Sequence, residues 1–199
     1  GKTELDYAIS LKMVLELREI KVSEITGAII GSVVPPVTSL MREAIRKVTG
    51  QEALVVNVDM NIGLEVLMDN PSSVGTDLIV GAVAGINRYP VPLILIDMGT
   101  ATTICVVNEN KQYIGGMILP GIGVSMNSLT SRTAQLPRIS LDPPKRLIGK
   151  NTVECMQSGA LYGNASCIDG MVDRIEEELG QKATVVATGG LARKIIPLC

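Results

Sequence analysis

The residues best suited to do chemistry lie in the segment 97–103, which has the sequence DMGTATT. Asp97 ends an apolar run, and a turn of glycine and hydroxyl residues leads directly into a second β-branched run. Gly99 allows an anion to approach the backbone, and Thr100 adds a hydroxyl and an N–H group. Asp97 would hold a cation, because a carboxylate and a phosphate otherwise repel each other. The pattern predicts a phosphate-facing β-hairpin, and the alternative is an ordinary hairpin rich in strand-forming residues.

Two glycine motifs that precede predicted helices indicate the same chemistry. The first is the segment 115–123 (GGMILPGIG), and the second is Thr188 followed by Gly189 and Gly190. A helix N-terminus that glycine leaves open to a ligand is a common anion-binding site. Each motif alone is also typical of an ordinary turn or helix cap.

A second acidic residue stands where a loop is predicted to enter a helix, in the segment 70–77 (NPSSVGTD). Asp77 could cap that helix by accepting a hydrogen bond from a backbone N–H group. It could also be a general base that takes a proton from a hydroxyl. Both roles remain open from the residue alone.

The composition of the 199-residue chain excludes several function classes, since there is no His, Phe or Trp and there are only 4 Tyr. Hydrolase sites with a histidine base and histidine-containing zinc sites are excluded. A net charge of −2 and the lack of stacking aromatics argue against nucleic acid as a partner. No apolar run reaches the ~18 residues of a membrane span, and four Cys without a C-x-x-C pair indicate a reducing compartment. We expect a cytoplasmic protein with an aliphatic core.

The elements that must position these residues alternate between helix and strand. Thr3 and Asp6 form a predicted capping box at the start of the first helix. A loop at 68–76 places a domain boundary near residue 70, so we predict an α/β chain with domains 1–70 and 71–199. The predicted helices are 3–20, 37–49, 76–87, a helix that ends at about 134, 151–179 and one after 190, and the predicted strands are 25–34, 53–58, 92–96, 104–107, 112–119 and 184–187.

Taken together, these motifs resemble the type III pantothenate kinases, members of the actin-like and sugar-kinase ATPase superfamily. Six motifs follow the family order between about Lys2 and Arg193. Any one of them could occur by chance, whereas six in register favour membership strongly. The motifs are SVVP at 32–35, NPxxVGxD at 70–77, DxGTATT at 97–103, GGxIxPG at 115–121, GKNT at 149–152 and TGG at 188–190.

The resemblance implies an ATP-dependent kinase that phosphorylates the primary hydroxyl of pantothenate to 4'-phosphopantothenate, the first step of coenzyme A biosynthesis. It implies two ribonuclease-H-like (actin-like ATPase) domains and a homodimer. Asp77 would be the general base, Asp97 would bind a monovalent cation (K⁺ or NH₄⁺), and Mg²⁺ would bridge the ATP phosphates. Phosphoryl transfer of this kind requires no histidine. The resemblance also assigns Gly75, Thr76, Leu78 and Thr152 to pantothenate and Gly99, Thr100, Gly189 and Gly190 to ATP.

The sequence departs from the family pattern in ways that bear on activity. Leu78 stands where the family motif ends in Arg, and leucine cannot clamp a carboxylate as a guanidinium does. The family's first phosphate hairpin, DxGNT, is missing, as is a C-terminal tail. We therefore expect a first domain without its opening β-hairpins, either in an internal fragment or in a chain whose ends are not represented. The 199-residue piece should be poorly active at best when alone. The alternative to an active kinase is a catalytically impaired accessory or regulatory protein, although the presence of Asp77, Asp97, Thr100 and Thr152 favours the kinase.

Overall fold

The computed structural model describes residues 1–57, 60 and 62–199, and the chain divides into two compact units. Unit 1 comprises Gly1–Ile62 with Asp69–Gly81, and unit 2 comprises Gly63–Met68 with Ala82–Cys199. The end of the predicted strand 53–58, at Val58, lies outside the described residues.

Unit 1 contains two helices and a two-stranded parallel sheet. In this sheet Ala28 pairs with Ala53. The predicted capping box is confirmed, because the Thr3 N–H donates to the Asp6 carboxylate at 2.7 Å and the Asp6 N–H donates to Thr3 Oγ1 at 3.3 Å. The second helix begins with proline. Proline has no backbone N–H group, and this costs nothing here because N–H groups in the first turn of a helix have no partner within the helix. The elements are α1 (Glu4–Leu17), β1 (Ala28–Ile30), α2 (Pro35–Thr49) and β2 (Ala53–Val55), with 3₁₀ turns at Val22–Glu24 and Pro71–Ser73.

Helix α3 (Thr76–Ile86) follows, with its first turns assigned to unit 1 and its last residues to unit 2. Gly85 on this helix packs against the sheet of unit 2. A Cβ built on Gly85 would lie 2.6 Å from Leu93 Cδ2 and 3.0 Å from Leu95 Cδ2. Glycine therefore lets this helix lie close to the sheet without moving the ends of the two leucine side chains.

Unit 2 is built on a five-stranded mixed sheet with the order β3-β6-β5-β4-β7. The neighbours β4, β5 and β6 are antiparallel, whereas β7 runs parallel to β4 and β3 runs parallel to β6. Tyr113 on β6 is only 3% exposed, and its carbonyl accepts the Leu67 N–H at 2.8 Å. The elements are β3 (Glu65–Val66), β4 (Leu93–Met98), β5 (Ala101–Val107), β6 (Gln112–Pro120), α4 (Ile122–Ser131), α5 (Thr152–Leu179), β7 (Thr184–Thr188) and α6 (Ala192–Ile195).

The core of unit 2 lies between this sheet and the 28-residue helix α5. Alternate residues of β4, including Ile94 and Ile96, point into the core with Leu161 of α5. Because Leu93 and Leu95 on the other face of β4 pack near Gly85, β4 is covered on both faces. This explains its continuous apolar sequence.

The predicted α/β class is confirmed, and the differences from the predicted elements have local causes. Strand β1 spans three residues instead of the predicted 25–34, because it is a strand only where it pairs with β2. The two-residue β3 was not predicted, since two residues carry no periodicity. Among the described residues, no helix combines the length and apolarity needed to span a membrane.

Candidate functional site

The segment 97–103 forms the predicted hairpin at one end of the unit 2 sheet. Asp97 pairs with Thr103 across β4 and β5, and Gly99 N–H donates to Ala101 O at 3.0 Å. Met98 is 2% exposed, whereas the flanking Asp97 side chain is exposed. The hairpin is therefore anchored by buried residues while its carboxylate and its turn face outward.

Gly121 holds the turn of this hairpin from one side. Register across β5 and β6 places Pro120 opposite Ala101. A Cβ on Gly121 would overlap Thr100 O and would lie 2.7 Å from Gly99 O, closer than any real side chain approaches. Gly121 is also the N-cap of α4 and provides no side-chain cap, so the first N–H groups of the helix begin directly beside the turn.

Gly189 holds the same hairpin from the other side. The parallel strands β4 and β7 pair Asp97 with Thr188, so the residues that follow Thr188 emerge at the same sheet edge as Asp97. Gly189 has φ of 96°, and a Cβ there would lie 2.6 Å from Asp97 Oδ1. A side chain at this position would thus displace the carboxylate. The structure brings together three of the motifs singled out in the sequence.

The Asp97 carboxylate suits a cation whose other ligands come from a substrate. No hydrogen bond within the described residues engages its oxygens, and Oδ1 lies close to both Gly189 and Gly99. The described part of the chain has no cluster of three or more His, Cys, Asp or Glu side chains that could enclose a metal. A lone exposed carboxylate of this kind fits a cation that takes its remaining ligands from a substrate.

Asp77 and its neighbours are arranged within unit 1. Asp77 is the second residue of α3, and a Cβ on Gly75 would overlap Asp77 Oδ1 and lie 3.5 Å from Val33 Cγ1. The SVVP motif therefore packs against the segment that precedes Asp77. Glycine at 75 leaves the space in which the Asp77 carboxylate lies.

Two polar groups at the start of α3 lack internal partners. Within the described residues the Asp77 carboxylate accepts no hydrogen bond, so no cap interaction is seen for it, and its side chain is exposed. The neighbouring Thr76 Oγ1 is buried and has no hydrogen-bond partner in this part of the chain. Leaving a buried hydroxyl unsatisfied costs about 1–3 kcal/mol. A ligand that hydrogen-bonds Thr76 would remove that cost.

The GKNT motif begins α5. Asn151 is the N-cap, and its side chain accepts the Glu154 N–H at 2.9 Å, while the Lys150 N–H donates to the Glu154 carboxylate at 3.1 Å. Thr152 is the exposed first residue of the helix and makes no hydrogen bond to the hairpin residues in the described part of the chain. The capping role of Asn151 and Glu154 was not predicted from the sequence, although the spacing N-x-x-E is typical of a capping box.

Comparisons with known proteins agree with these motifs. The type III pantothenate kinase family model matches residues 1–174. A type III pantothenate kinase from Bacillus cytotoxicus is 46% identical over 194 residues, which cover 98% of this chain and 74% of that protein. A solved structure from Campylobacter jejuni, described as a Baf family transcriptional activator, shares the fold with a TM-score of 0.56 and 16% identity, over 94% of this chain and 77% of that chain. The chain belongs to the type III pantothenate kinase family.

Proposed function

We propose that this pantothenate kinase transfers the γ-phosphoryl group of ATP to the primary hydroxyl of pantothenate at a site built from the motifs described above. The observation that carries this proposal is the convergence of the hairpin 97–103, Gly121 and Gly189 at one sheet edge. Phosphoryl transfer depends on positioning and on neutralising charge more than on a nucleophilic side chain. Aspartate, threonine and glycine backbone can supply both.

On the nucleotide side, Gly99, Thr100, Gly189 and Gly190 bind ATP. The exposed turn offers the hydroxyl of Thr100, from which a phosphate oxygen can accept, and Gly99 lets the phosphate approach the backbone. Asp97 binds a monovalent cation, K⁺ or NH₄⁺. When bound, Mg²⁺ neutralises charge between the phosphate groups.

On the acceptor side, Asp77 is the general base. Its carboxylate takes the proton of the attacking hydroxyl while the hydroxyl oxygen forms a bond to the γ-phosphorus of ATP. The bond from that phosphorus to the β–γ bridging oxygen breaks, and ADP leaves with the electron pair. Gly75 and Thr76 contact pantothenate, and the buried hydroxyl of Thr76 without a partner supports that contact. Thr152 contributes from the start of α5.

Leu78 changes how the carboxylate of pantothenate is bound. Its side chain is half-buried and offers no charge. Groups other than residue 78 therefore hold the substrate carboxylate, and affinity for pantothenate is lower than with the family arginine.

The wider assignment follows the same family pattern. We propose two ribonuclease-H-like domains, 1–70 and 71–199, a homodimer and a cytoplasmic location. The antiparallel β6-β5-β4 strands followed by the parallel β7 support such a fold for the second domain. The absence of a disulfide among the four cysteines in the described residues is consistent with the cytoplasm.

The proposal is tested by measuring ADP formation by the full-length gene product with pantothenate, with and without K⁺ or NH₄⁺. We expect pantothenate-dependent turnover that the monovalent cation increases. Asp77→Asn should lower kcat by about 10²–10⁴-fold, as expected for loss of a general base. Asp69→Asn, an exposed carboxylate in the loop before α3, is the matched control and should leave kcat unchanged. Absence of pantothenate-dependent ADP formation would overturn the kinase and favour the accessory protein.

A further inference from the structure

Helix α4 borders a cavity that the proposed kinase site does not use. The cavity has a volume of about 690 Å³ and lies between one face of α4 and the irregular segment that follows the helix. Asn127, Ser128 and Ser131 line it from the helix, and Arg132 and Arg138 line it from the segment. Ile122 and Met126 of α4 lie in the core or pack against it, whereas Val124 is exposed and lines the cavity.

The cavity carries a net positive charge. Two guanidinium groups line it and no acidic side chain does. Neither Arg132 nor Arg138 forms an ion pair or a side-chain hydrogen bond with any described residue. Arg46 of α2, by contrast, pairs with Glu43 and lies 3.9 Å from a Glu52 oxygen. The positive charge of the cavity is therefore not neutralised by the described part of the chain.

The polar side chains of α4 add hydrogen-bond donors. Ser131 Oγ already donates to Ser128 O at 3.2 Å. The Asn127 amide and the Ser128 hydroxyl have no hydrogen bond within the described residues, so their donors remain available. Two guanidinium groups, an amide and a hydroxyl together match an oxyanion with several oxygens.

We propose that this cavity binds a small organic molecule through a phosphate group. Two guanidinium charges match the −1.5 to −2 charge that a phosphate monoester carries at about neutral pH, whereas a carboxylate carries only one charge. The volume of the cavity is within the range of roughly 300–1,000 Å³ that small organic ligands occupy. This volume is larger than inorganic phosphate alone would fill. The ligand class is therefore a phosphomonoester.

The two arginines of this cavity lie away from the hairpin that we assign to ATP, although the lining of the cavity extends along α4 to Val124. A helix rises about 1.5 Å per residue, so Arg132 lies roughly 15 Å along α4 from Ile122, beside which the hairpin turn sits. The C-terminus of α4 carries a partial negative charge of about half an elementary charge. The two positive charges of the guanidinium groups are larger, so the cavity stays positive. The inference does not depend on the kinase assignment, since it rests on α4 and the segment after it alone.

The test titrates the full-length protein with glycerol 3-phosphate, and in parallel with glycerate, its carboxylate counterpart, while backbone amide chemical shifts are recorded. A non-hydrolysable ATP analogue is present at saturation, so that the hairpin does not bind the probe. We expect glycerol 3-phosphate to shift the amides of Ser128, Arg132 and Arg138, and glycerate to bind at least 10-fold more weakly. Equal binding of the two probes, or no binding of the phosphate, would overturn the proposal.

Variants localise the binding to the two arginines. Arg132→Gln with Arg138→Gln should weaken the binding of glycerol 3-phosphate at least 10-fold. Arg138→Gln alone should have a smaller effect, and it keeps the test valid if the double variant does not fold. Arg146→Gln is the control, because Arg146 is exposed in the same segment but does not line the cavity. Undiminished binding by a folded double variant would contradict the assignment.

Discussion

The two units contain the same kinds of element but bury them to very different extents. In unit 2, thirteen buried residues form one described core cluster between the sheet and α5. The cluster described in unit 1 is centred on Ile30, Ile45 and Ala53. Large apolar side chains of unit 1 are exposed, with Leu17 at 79% and Ile29 at 65%. Unit 2 also has exposed ones, such as Ile118 at 77%, but these lie outside its core cluster. An apolar strand or helix thus forms a core only where a second layer covers it.

The hairpin 97–103 belongs to unit 2, which has the larger described core cluster. Its strands are held by a core on one face and by Gly85 and α3 on the other. Asp77, by contrast, belongs to unit 1, whose described core cluster is smaller and resists local opening less. We expect the hairpin 97–103 to be rigid and the start of α3 to open more readily.

The largest expected effect comes from the unit 2 core. Ile96→Ala removes a fully buried side chain of β4 and should lower the free energy of unfolding by about 2–5 kcal/mol. Ile29→Ala, on an exposed position of β1, should lower it by less than about 1 kcal/mol. Urea unfolding followed by circular dichroism measures both. Equal losses in the two variants would show that the cores do not differ as described.

Gly121→Ala tests whether the hairpin is held by close backbone packing. The added Cβ would overlap Thr100 O, and relieving it should cost about 1–3 kcal/mol of unfolding free energy. Gly123→Ala is the control, because no atom lies within 4 Å of a Cβ there. Alanine is a better helix former than glycine, so this variant should gain up to about 1 kcal/mol in the same unfolding experiment. Two variants of equal stability would refute the close packing.

Gly75→Ala tests the position of the Asp77 carboxylate separately from the stability of unit 1. The new methyl group displaces the Asp77 carboxylate, which is a flexible side-chain end. We therefore expect kcat to fall about 10-fold, since Asp77, the base that we propose, would be misplaced. The unfolding free energy should change by less than about 0.5 kcal/mol. Gly81→Ala, on the same helix with open space around its Cβ, should retain kcat. The role of Gly75 would be rejected if its kcat were also retained.

The smallest effects are expected from one acidic group in each unit. Hydrogen bonds from the Thr3 backbone and side chain lower the pKa of Asp6, and a hydrogen bond from Lys182, with one from the Ala183 N–H, lowers the pKa of Glu176. A lowered pKa in the folded state stabilises it above the ordinary carboxyl pKa of about 4, and this contribution is lost as the pH falls through the folded value.

Acid titration of hydrogen exchange measures these two groups separately. Below about pH 4, protection should decrease at the start of α1 and at the turn between α5 and β7. Asp6→Asn should remove the pH dependence at α1 only, and Glu176→Gln at the α5–β7 turn only. A pH dependence that persists in either variant would assign it to another group.

The sequence predicted those features whose causes are local. The capping of α1 by Thr3 and Asp6 and the hairpin after Asp97 depend on neighbours a few residues away, and both were correct. The extent of β1 was not predictable, because its limits depend on pairing with β2, which lies about 25 residues later. The contacts of Gly121 and Gly189 with the hairpin arise from strand register, and the cavity beside Arg132 lies in an irregular segment without periodicity.

The burial of Tyr113 has an optical consequence. The chain has no Trp or Phe, so its 4 Tyr supply the entire near-ultraviolet aromatic signal. Tyr7 lies in unit 1 with Lys2 Nζ 5.6 Å from its ring centroid, whereas Tyr113 is held in β6 and the other two also belong to unit 2. An immobilised ring in a packed interior gives the strongest near-ultraviolet circular dichroism. The protein therefore carries a native chromophore that reports the packing of unit 2 with little contribution from unit 1.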